Sequence, residues 1–252
     1  MQSERQRTGL PYRSPPPGVP IKAVYPPPAW SSPQSLPSSA TTPLARLFAT
    51  VKTEALKTET LKAALAEGVG ALLLTSAALL AGTPYAVALT LGAFVYAVGP
   101  ISGANLNPAV TIGLVAARRL PISTGLLYIV AQILGALLAR LLSPLVSPLG
   151  TYHAGSGVGE FVGFAFLMLT VIAVSDKYVP QSGSGIAIGA ALAAGLVVSG
   201  GILNPAVAIA MGRTLSAATW APVLSSLVCV GLFRLYERKD QKEPEGGREQ
   251  SS

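Results

Sequence analysis

The pentapeptide Leu-Asn-Pro-Ala-Val occurs twice in this chain, at 106–110 and at 203–207, and each copy lies within a strongly apolar stretch. Asparagine is a favoured N-cap and proline is favoured at the first helical position, so each copy predicts a helix start. A helix from Pro108 to about Arg118 would be only about 16 Å long, roughly half of a 30 Å hydrocarbon core. A half-length helix is tolerated at membrane depth only where protein or a water-filled cavity surrounds it. Two copies therefore predict an internal cavity.

The composition predicts a membrane protein with several spans. Of 252 residues, 50% are hydrophobic and 12% are charged, and the mean hydropathy is +0.53, which is far more apolar than a soluble domain. The hydropathy pattern predicts six helical spans of bilayer length. They lie at 63–81, 84–100, 122–142, 158–175, 184–199 and 217–236. An even number of spans places both termini on one side.

The distribution of positive charge predicts the orientation. Lysine and arginine are concentrated on the predicted side of the termini, whereas Arg140 and Arg213 lie on the opposite side. Because short cytoplasmic connections carry the excess of lysine and arginine, we expect both termini to be cytoplasmic and the protein to lie in the cell membrane. The same distribution accounts for the net charge of +7 without a nucleic-acid partner. The single cysteine, Cys229, has no partner for a metal site, and we expect no metal, cofactor or catalytic group.

The chain divides into three predicted segments. Residues 1–44 hold eleven of the 21 prolines and predict a disordered cytoplasmic tail with polyproline character. This tail is either a solvated spacer or a ligand for the aromatic groove of a partner domain. Residues 45–236 form the predicted membrane domain, which opens with an interfacial helix at 44–62. Residues 237–252 form a short polar tail on the cytoplasmic side.

The two pentapeptides belong to a longer repeat. Glu67 precedes the first Asn-Pro-Ala by 40 residues, and Glu160 precedes the second by 44, each within a similar Gly-containing segment. Three spans and one half-helix are therefore present at about 60–142 and again at about 156–236. Because each copy crosses the membrane an odd number of times, the second copy is inverted. We predict an all-α membrane protein with six transmembrane helices and two re-entrant half-helices whose N-termini meet near the midplane.

These motifs resemble those of the aquaporins and glycerol facilitators, the major intrinsic protein family. The resemblance rests on residues 102–111 and 200–206, on the two glutamates, and on Ala131-Gln132 with Gly135-Ala136 in the third span. It implies the aquaporin fold, a passive channel for water and other small neutral solutes, membrane lipid as surroundings, and a homotetramer. It also implies that the pore is lined by the two motifs, which are Asn107, Pro108, Ala109, Asn204, Pro205 and Ala206.

The polar residues of the repeat have expected roles. If both half-helices point their N-termini at the pore centre, each contributes about half a positive charge there. Asn107 and Asn204 would cap the helices with their oxygens and present their amide groups to the lumen as donors. The alternative is that both asparagines only cap helices. In the resembling family, glutamates such as Glu67 and Glu160 accept hydrogen bonds from the re-entrant loops. The alternative is that both lie near span ends and reach water.

The chain departs from the family pattern at the outer selectivity filter. Most members carry arginine directly after the second Asn-Pro-Ala, where this chain has Val207. By spacing, the other filter positions are predicted to be Val87, Gly201 and Leu196. Such a filter offers no side-chain donor and leaves backbone carbonyls to guide solutes, which weakens the inference of strict selectivity for water from the resemblance. Asn105 replaces the histidine that is usual at the cytoplasmic mouth.

Two other functions stay open alongside the passive channel. A junctional or scaffold membrane protein would have a closed pore and would use its Pro-rich tail to bind partners. A channel that conducts ions or leaks protons is conceivable because the arginine is lost. The leading prediction is a channel for water and other small uncharged solutes, such as ammonia or small polyols, that operates without a cofactor.

Overall fold

The computed structural model describes residues 43–55, 57–146 and 155–240, and these residues form nine helices. The helices are α1 (Pro43–Ala55), α2 (Thr58–Ala81), α3 (Pro84–Ser102), α4 (Pro108–Ala116), α5 (Ile122–Val146), α6 (Gly157–Ser175), α7 (Gln181–Ser199), α8 (Pro205–Ala210) and α9 (Ala217–Asp240). Most of the predicted Pro-rich tail, and the chain beyond Asp240, lie outside the described residues.

Six of these helices are long and apolar enough to cross a membrane, namely α2, α3, α5, α6, α7 and α9. The six predicted spans are therefore confirmed, with shifted ends. The first begins at Thr58, five residues before its predicted start, and its added first turn carries the charged residues Glu59 and Lys62, which form a 2.7 Å ion pair. Hydropathy averaging does not assign this turn to the span, because two of its residues are charged. The third continues to Val146, four residues beyond its predicted end.

The segment before the first span is a separate short helix. The sequence predicts one helix over 44–62, but α1 ends at Ala55 and Lys57 has extended backbone. Leu44 and Phe48 on α1 are 62% and 66% exposed, although both are apolar. Helix α1 packs against α5 and α2. Its exposed apolar side chains suit a helix that lies along a membrane surface.

The long helices carry apolar side chains on their outer faces. Leu89, Leu141 and Ile186 are each more than 70% exposed, and they lie on three different spans. Exposed apolar surface of this extent marks contact with a non-aqueous surrounding. Inside the helix bundle, by contrast, Glu67 and Glu160 are fully buried. The protein is an integral membrane protein whose polar groups face inward.

The pattern of helix contacts in the first half of the chain is repeated by the corresponding helices of the second half. Helix α2 packs on α3 and α5, just as α6 packs on α7 and α9. Helices α3 and α7 pack on each other and join the halves. The short helices α4 and α8 each pack on both α5 and α9. This exchange is the packing that an inverted repeat predicts.

Glycines let the spans approach backbone to backbone. A Cβ atom on Gly195 of α7 would lie 2.3 Å from the carbonyl oxygen of Gly163 on α6. A Cβ atom on Gly135 of α5 would lie 2.1 Å from the carbonyl oxygen of Gly68 on α2. Both distances are far below van der Waals contact, so only glycine fits at either point. Small residues at helix contacts are a common packing device in membranes.

Candidate pore between the two half-helices

Helices α4 and α8 both begin at the proline of the repeated pentapeptide. They contain nine and six residues, so neither is long enough to span a bilayer. The Asn107 side-chain oxygen accepts a hydrogen bond from the Ala109 amide at 2.9 Å, and the Asn204 oxygen accepts one from the Ala206 amide at 3.0 Å. Both asparagines are therefore N-caps. Helix α4 ends at Ala116, two residues before its predicted end.

The two asparagine side chains also join the halves of the molecule. The Asn107 amide group donates to the Leu203 carbonyl at 2.8 Å, and the Asn204 amide group donates to the Leu106 carbonyl at 3.0 Å. Each leucine directly precedes the asparagine of its own motif. The two half-helix tips are therefore connected by a crossed pair of hydrogen bonds, so they meet inside the bundle.

The leucines that accept these bonds have unusual backbone conformations. Leu106 and Leu203 have φ values of 49° and 56°, in the left-handed region, and both are fully buried. A non-glycine residue in this region costs about 1–3 kcal/mol, so the surroundings must hold it there. The leucine side chains reach the glycines of the neighbouring spans, where Leu106 lies against Gly70 and Leu203 lies against Gly163. This conformation turns each leucine carbonyl toward the opposite motif.

The two buried glutamates hold the re-entrant loops in this shape. The Glu67 carboxylate accepts from the Leu106 amide at 2.7 Å and from the Asn105 amide at 2.9 Å. The Glu160 carboxylate accepts from the Leu203 and Ile202 amides, both at 2.8 Å. Both carboxylates are fully buried, which excludes the alternative that they reach water at the span ends. Each glutamate thus orients the leucine of its own half. The carbonyl of that leucine accepts a hydrogen bond from the asparagine amide group of the other half.

The first half carries additional polar contacts. The Glu67 carboxylate also accepts from the Ser102 hydroxyl at 2.6 Å and from the Gln132 amide group at 2.7 Å. The Gln132 amide group donates in addition to the Thr111 hydroxyl at 2.9 Å, and the Asn105 amide group donates to the same hydroxyl at 3.2 Å. Among the described residues, the Glu67 carboxylate therefore accepts from two side chains and two backbone amides, whereas the Glu160 carboxylate accepts from two backbone amides.

A narrow cavity lies where the two tips meet. Its volume is about 10 Å³. That is room for about one water molecule. Asn105, Asn107 and Asn204 are its polar lining residues. Its apolar lining includes Leu74, Val87, Leu167, Leu192, Ile202 and Val207. The cavity is therefore polar at the asparagines and apolar elsewhere.

Two of the four predicted filter residues line this cavity, namely Val87 at the start of α3 and Val207 on α8. On α7, the lining residue is Leu192. Leu196, which the sequence predicts for this place, lies one helical turn further along and is 1% exposed. Gly201 lies against the Glu160 carboxylate, where a Cβ atom would be 2.6 Å from the carboxylate oxygen. Its lack of a side chain makes room for that carboxylate.

The alanine of each motif packs closely against the third span of the opposite half, which is α9 for Ala109 and α5 for Ala206. Ala109 is fully buried, and its carbonyl accepts from the Ser226 hydroxyl of α9 at 2.9 Å. Ala206 packs with Ala136 of α5, and both are at most 1% exposed. Small side chains here let the half-helices approach the spans that support them. Pro108 and Pro205, at the first helical positions, are also buried.

The far end of α4 is held by charged side chains. The Arg234 guanidinium on α9 donates to the Ala116 carbonyl at the last turn of α4. A cation at a helix C-terminus interacts favourably with the helix dipole. Just beyond, Arg119 forms a two-pronged ion pair with Asp176, and its guanidinium lies 5.7 Å from the centre of the Phe233 ring. The connection after α4 is thereby joined to the connection after α6.

Sequence reasoning missed several of these residues. The roles of Leu106 and Leu203 had a visible sign, because leucine precedes asparagine in both copies of the pentapeptide. Gln132 lies in one of the stretches that carry the family resemblance, but its contact with Glu67 depends on the packing of α5 on α2. Nothing in the sequence distinguishes Leu192 from Leu196, since both lie on α7 one turn apart.

Comparison with known proteins gives the family. The family model for the major intrinsic proteins matches residues 47–221. Aquaporin AqpM of Methanothermobacter marburgensis is 31% identical over 168 residues, which cover 58% of this chain and 63% of that protein. Nodulin-26 of Glycine max is 35% identical over 134 residues, which cover 47% of this chain and 49% of that protein. The matches thus span less than two thirds of either relative.

A solved structure shows the same fold. The X-ray structure of the aquaglyceroporin from Plasmodium falciparum has a TM-score of 0.53 and 20% identity, and the similarity covers 73% of this chain and 97% of that one. Six spans and two opposed half-helices with capped Asn-Pro-Ala starts define a helical membrane protein of the aquaporin fold. This chain belongs to the major intrinsic protein family. The predicted family and fold class are confirmed.

Proposed function

We propose that this protein is a passive channel for water and other small neutral solutes, which move down their own gradients through the cavity between α4 and α8. One observation carries the proposal: Asn107 and Asn204 line the same narrow cavity while capping two opposed half-helices. The similarity to proteins named aquaporin supports it. Members of this family are channels rather than enzymes, so the proposal includes no reaction and no cofactor.

The asparagine amide groups would orient the passing solute. Each NH2 group has two hydrogens. One is donated to the leucine carbonyl of the other half, which leaves the second for the cavity. A water molecule that passes would accept hydrogen bonds from both amide groups and turn its oxygen toward them. Together with the positive ends of the half-helix dipoles, this orientation opposes the passage of cations and interrupts proton transfer.

The outer filter of this channel would be an apolar constriction formed by Val87, Leu192 and Val207. All three line the cavity. Leu192 takes the place that spacing alone assigns to Leu196, and Gly201 would contribute backbone only. We further propose that the protein lies in the cell membrane with both termini cytoplasmic, in contact with lipid and assembled as a homotetramer. No step in this function calls for nucleic acid.

Stopped-flow light scattering of reconstituted vesicles tests the proposal. Vesicles with the protein should shrink faster under an osmotic gradient than empty vesicles. Substituting Ala78→Leu should slow the shrinkage, because Ala78 lines the cavity and a larger side chain would fill it. Ala81→Leu is the matched control, since Ala81 is exposed at the end of the same helix and should leave the rate unchanged.

Three results would contradict the proposal. Shrinkage no faster than in empty vesicles would favour a scaffold with a closed pore. Equal effects of the two alanine substitutions would show that water does not pass through this cavity. A planar-bilayer conductance above background would point instead to an ion channel, and would show that the two half-helix tips do not exclude cations.

A further inference from the structure

An open apolar groove lies at the starts of α6 and α9, on the side of the molecule opposite the termini. Its volume is about 400 Å³, within the range of about 300–1,000 Å³ that is usual for ligand sites. Its lining residues are Ser156, Gly157, Val158, Phe161 and Trp220. Most of this lining is apolar, so a ligand in the groove would be held mainly by an apolar part of its structure.

The groove lies at the level where the membrane meets water. Helices α6 and α9 are both spans, and the groove is formed within the first five residues of α6 and at the fourth residue of α9. Val158 and Trp220 are 75% and 54% exposed. Tryptophan is enriched at this level, where its ring contacts acyl chains and its N–H group reaches polar groups. The groove is therefore positioned to contact both parts of a lipid molecule.

A cation adjoins the groove. The Arg213 carbonyl accepts from the Thr219 hydroxyl at 2.8 Å, and Thr219 directly precedes Trp220 in α9. Arg213 is partly exposed, and its guanidinium has no hydrogen-bond or ion-pair partner within the part of the chain that the structure describes. The preferred partner of a guanidinium is a phosphate or a carboxylate, which it can bind through two parallel hydrogen bonds.

This side of the chain has no free carboxylate to offer. Its connections are 82–83, 147–156 and 200–216, and their sequences contain neither aspartate nor glutamate. Glu160 is in the first turn of α6, but its buried carboxylate accepts from the amides of the second re-entrant loop. A second copy of the chain in the same orientation would bring the same connections, so it could not supply an anion either. The charge of Arg213 is instead complementary to a phosphate at the membrane surface.

We propose that an anionic phospholipid binds at this groove, with an acyl chain against Trp220 and its phosphate on the Arg213 guanidinium. The proposal depends on the location in a membrane and not on transport through the pore. It also has a structural consequence, because Phe161 of the groove directly follows Glu160. A lipid that fixes the first turn of α6 should stabilise the second re-entrant loop and raise the midpoint of thermal unfolding.

Native mass spectrometry of the detergent-purified protein can measure this binding. Phosphatidylglycerol has both a phosphate and acyl chains, diacylglycerol lacks the phosphate, and glycerol 3-phosphate lacks the chains. Phosphatidylglycerol should bind about fivefold more tightly than diacylglycerol, which is the factor expected for one basic residue near an anionic headgroup. Glycerol 3-phosphate should bind more weakly than either. Equal affinities for phosphatidylglycerol and diacylglycerol would overturn the proposal.

Substitution of the cation tests the headgroup contact. Arg213→Gln should weaken phosphatidylglycerol binding about fivefold and leave diacylglycerol binding unchanged. Arg140→Gln is the matched control, because Arg140 is an exposed cation near the end of α5 on the same side. Within the described residues, α5 contacts neither α6 nor α9. An equal loss in both variants would show a general attraction of lipid to this side, and no site at the groove.

Substitution of the groove wall tests the acyl-chain contact. Trp220→Ala should weaken the binding of both lipids about tenfold, because it removes the largest apolar side chain of the groove. Tyr85→Ala is the control, since Tyr85 is a 63% exposed aromatic residue at the start of α3 on the same side. Val158→Ser is a milder variant for the case that Trp220→Ala does not fold, and should weaken binding about threefold. Unchanged lipid affinity in a folded groove variant would refute the site.

Other occupants of the groove would give different results. If a second copy of the chain occupies it, Trp220→Ala should reduce the mass of the assembly to that of a smaller oligomer and leave the lipid affinity unchanged. If residues 147–154 occupy it, the parent protein should bind neither lipid more tightly than the Trp220→Ala variant does. Either result would overturn the proposal.

Discussion

Leu106 and Leu203 show how a single residue can connect three groups of the site. The amide of each donates to a buried glutamate, its side chain lies against a glycine of a neighbouring span, and its carbonyl accepts from the asparagine of the opposite motif. The left-handed backbone makes these three contacts compatible. The strained conformation is therefore stabilised by the same contacts that position the asparagines.

Replacement of Asn204 by alanine tests this connection. Asn204→Ala removes a helix cap, which costs about 0.5–2 kcal/mol. It also leaves the Leu106 carbonyl without its donor in a buried position, which adds about 1–3 kcal/mol. We expect a free energy of unfolding lower by the sum of both effects, measured by denaturant titration of the detergent-solubilised protein.

Ser156→Ala is the matched control for this substitution. Ser156 is the N-cap of α6 and its hydroxyl accepts from the Gly159 amide at 3.0 Å near the surface. Its loss should lower the free energy of unfolding by the capping contribution alone. Equal destabilisation by Asn204→Ala and Ser156→Ala would argue against the crossed hydrogen bonds.

At this scale, the sequence predicts local chemistry better than contacts between distant residues. The N-caps at Asn107 and Asn204 depend on residues two or three positions away, and capping rules are sufficient to predict them. The pairing of Asn107 with Leu203 joins positions 96 residues apart. No local rule indicates it. The same limit explains why the sequence predicts Leu196 at the cavity, where the structure has Leu192. Spacing from the motif cannot determine which turn of α7 faces the cavity.

Among the elements, α6 and α7 approach each other closely at Gly163 and Gly195. Gly195→Ala should separate the two helices, because the added methyl would lie 2.3 Å from the Gly163 carbonyl oxygen. Overpacking of this kind typically costs about 1–3 kcal/mol. The change should appear as a lower midpoint of thermal unfolding in detergent.

The control for Gly195→Ala is Gly231→Ala, in the interior of α9. A Cβ atom at Gly231 has open space around it, with no described atom within 4 Å. Alanine is favoured over glycine in a helix by about 1 kcal/mol, so this variant should be as stable as the parent or more stable. If both variants are equally destabilised, the loss does not come from the contact between α6 and α7.

The long elements were the most predictable part of the molecule. Hydropathy identifies a span because the bilayer imposes one length and one polarity on all of them. The half-helices were predictable for another reason. The pentapeptide indicates where each one begins, and the short apolar stretch that follows it indicates that the helix is too short to span the bilayer. The break at Lys57 was not predicted, because the apolar spacing continues across it. The six-residue length of α8 likewise depends on tertiary contacts.

For the whole molecule, the distribution of positive charge is the main evidence for orientation. Arg119 and Lys177 follow the ends of α4 and α6 on the side of the termini, Arg234 lies in the last two turns of α9 on the same side, and Arg213 lies between α8 and α9 on the opposite side. The excess on the side of the termini predicts that this side is cytoplasmic.

Cysteine labelling can test this orientation directly. The chain has one cysteine, Cys229, which is buried and can be replaced by alanine. In that background, a cysteine at the exposed position Thr214 should react with a membrane-impermeant maleimide in intact cells. A cysteine at the exposed position Thr53 should react only after permeabilisation. The reverse pattern would overturn the predicted orientation, and labelling of both in intact cells would contradict the five spans between the two positions.

The crossed hydrogen bonds between the motifs also constrain the order of events during synthesis. Leu106 and Asn107 leave the ribosome almost a hundred residues before Asn204 and Leu203, which are their partners. In that interval the first re-entrant loop has a carbonyl and an amide group that water or another protein must satisfy, since lipid cannot. The cavity between the two half-helices therefore cannot be completed while the first half inserts, and it closes only after Leu203 and Asn204 have been made.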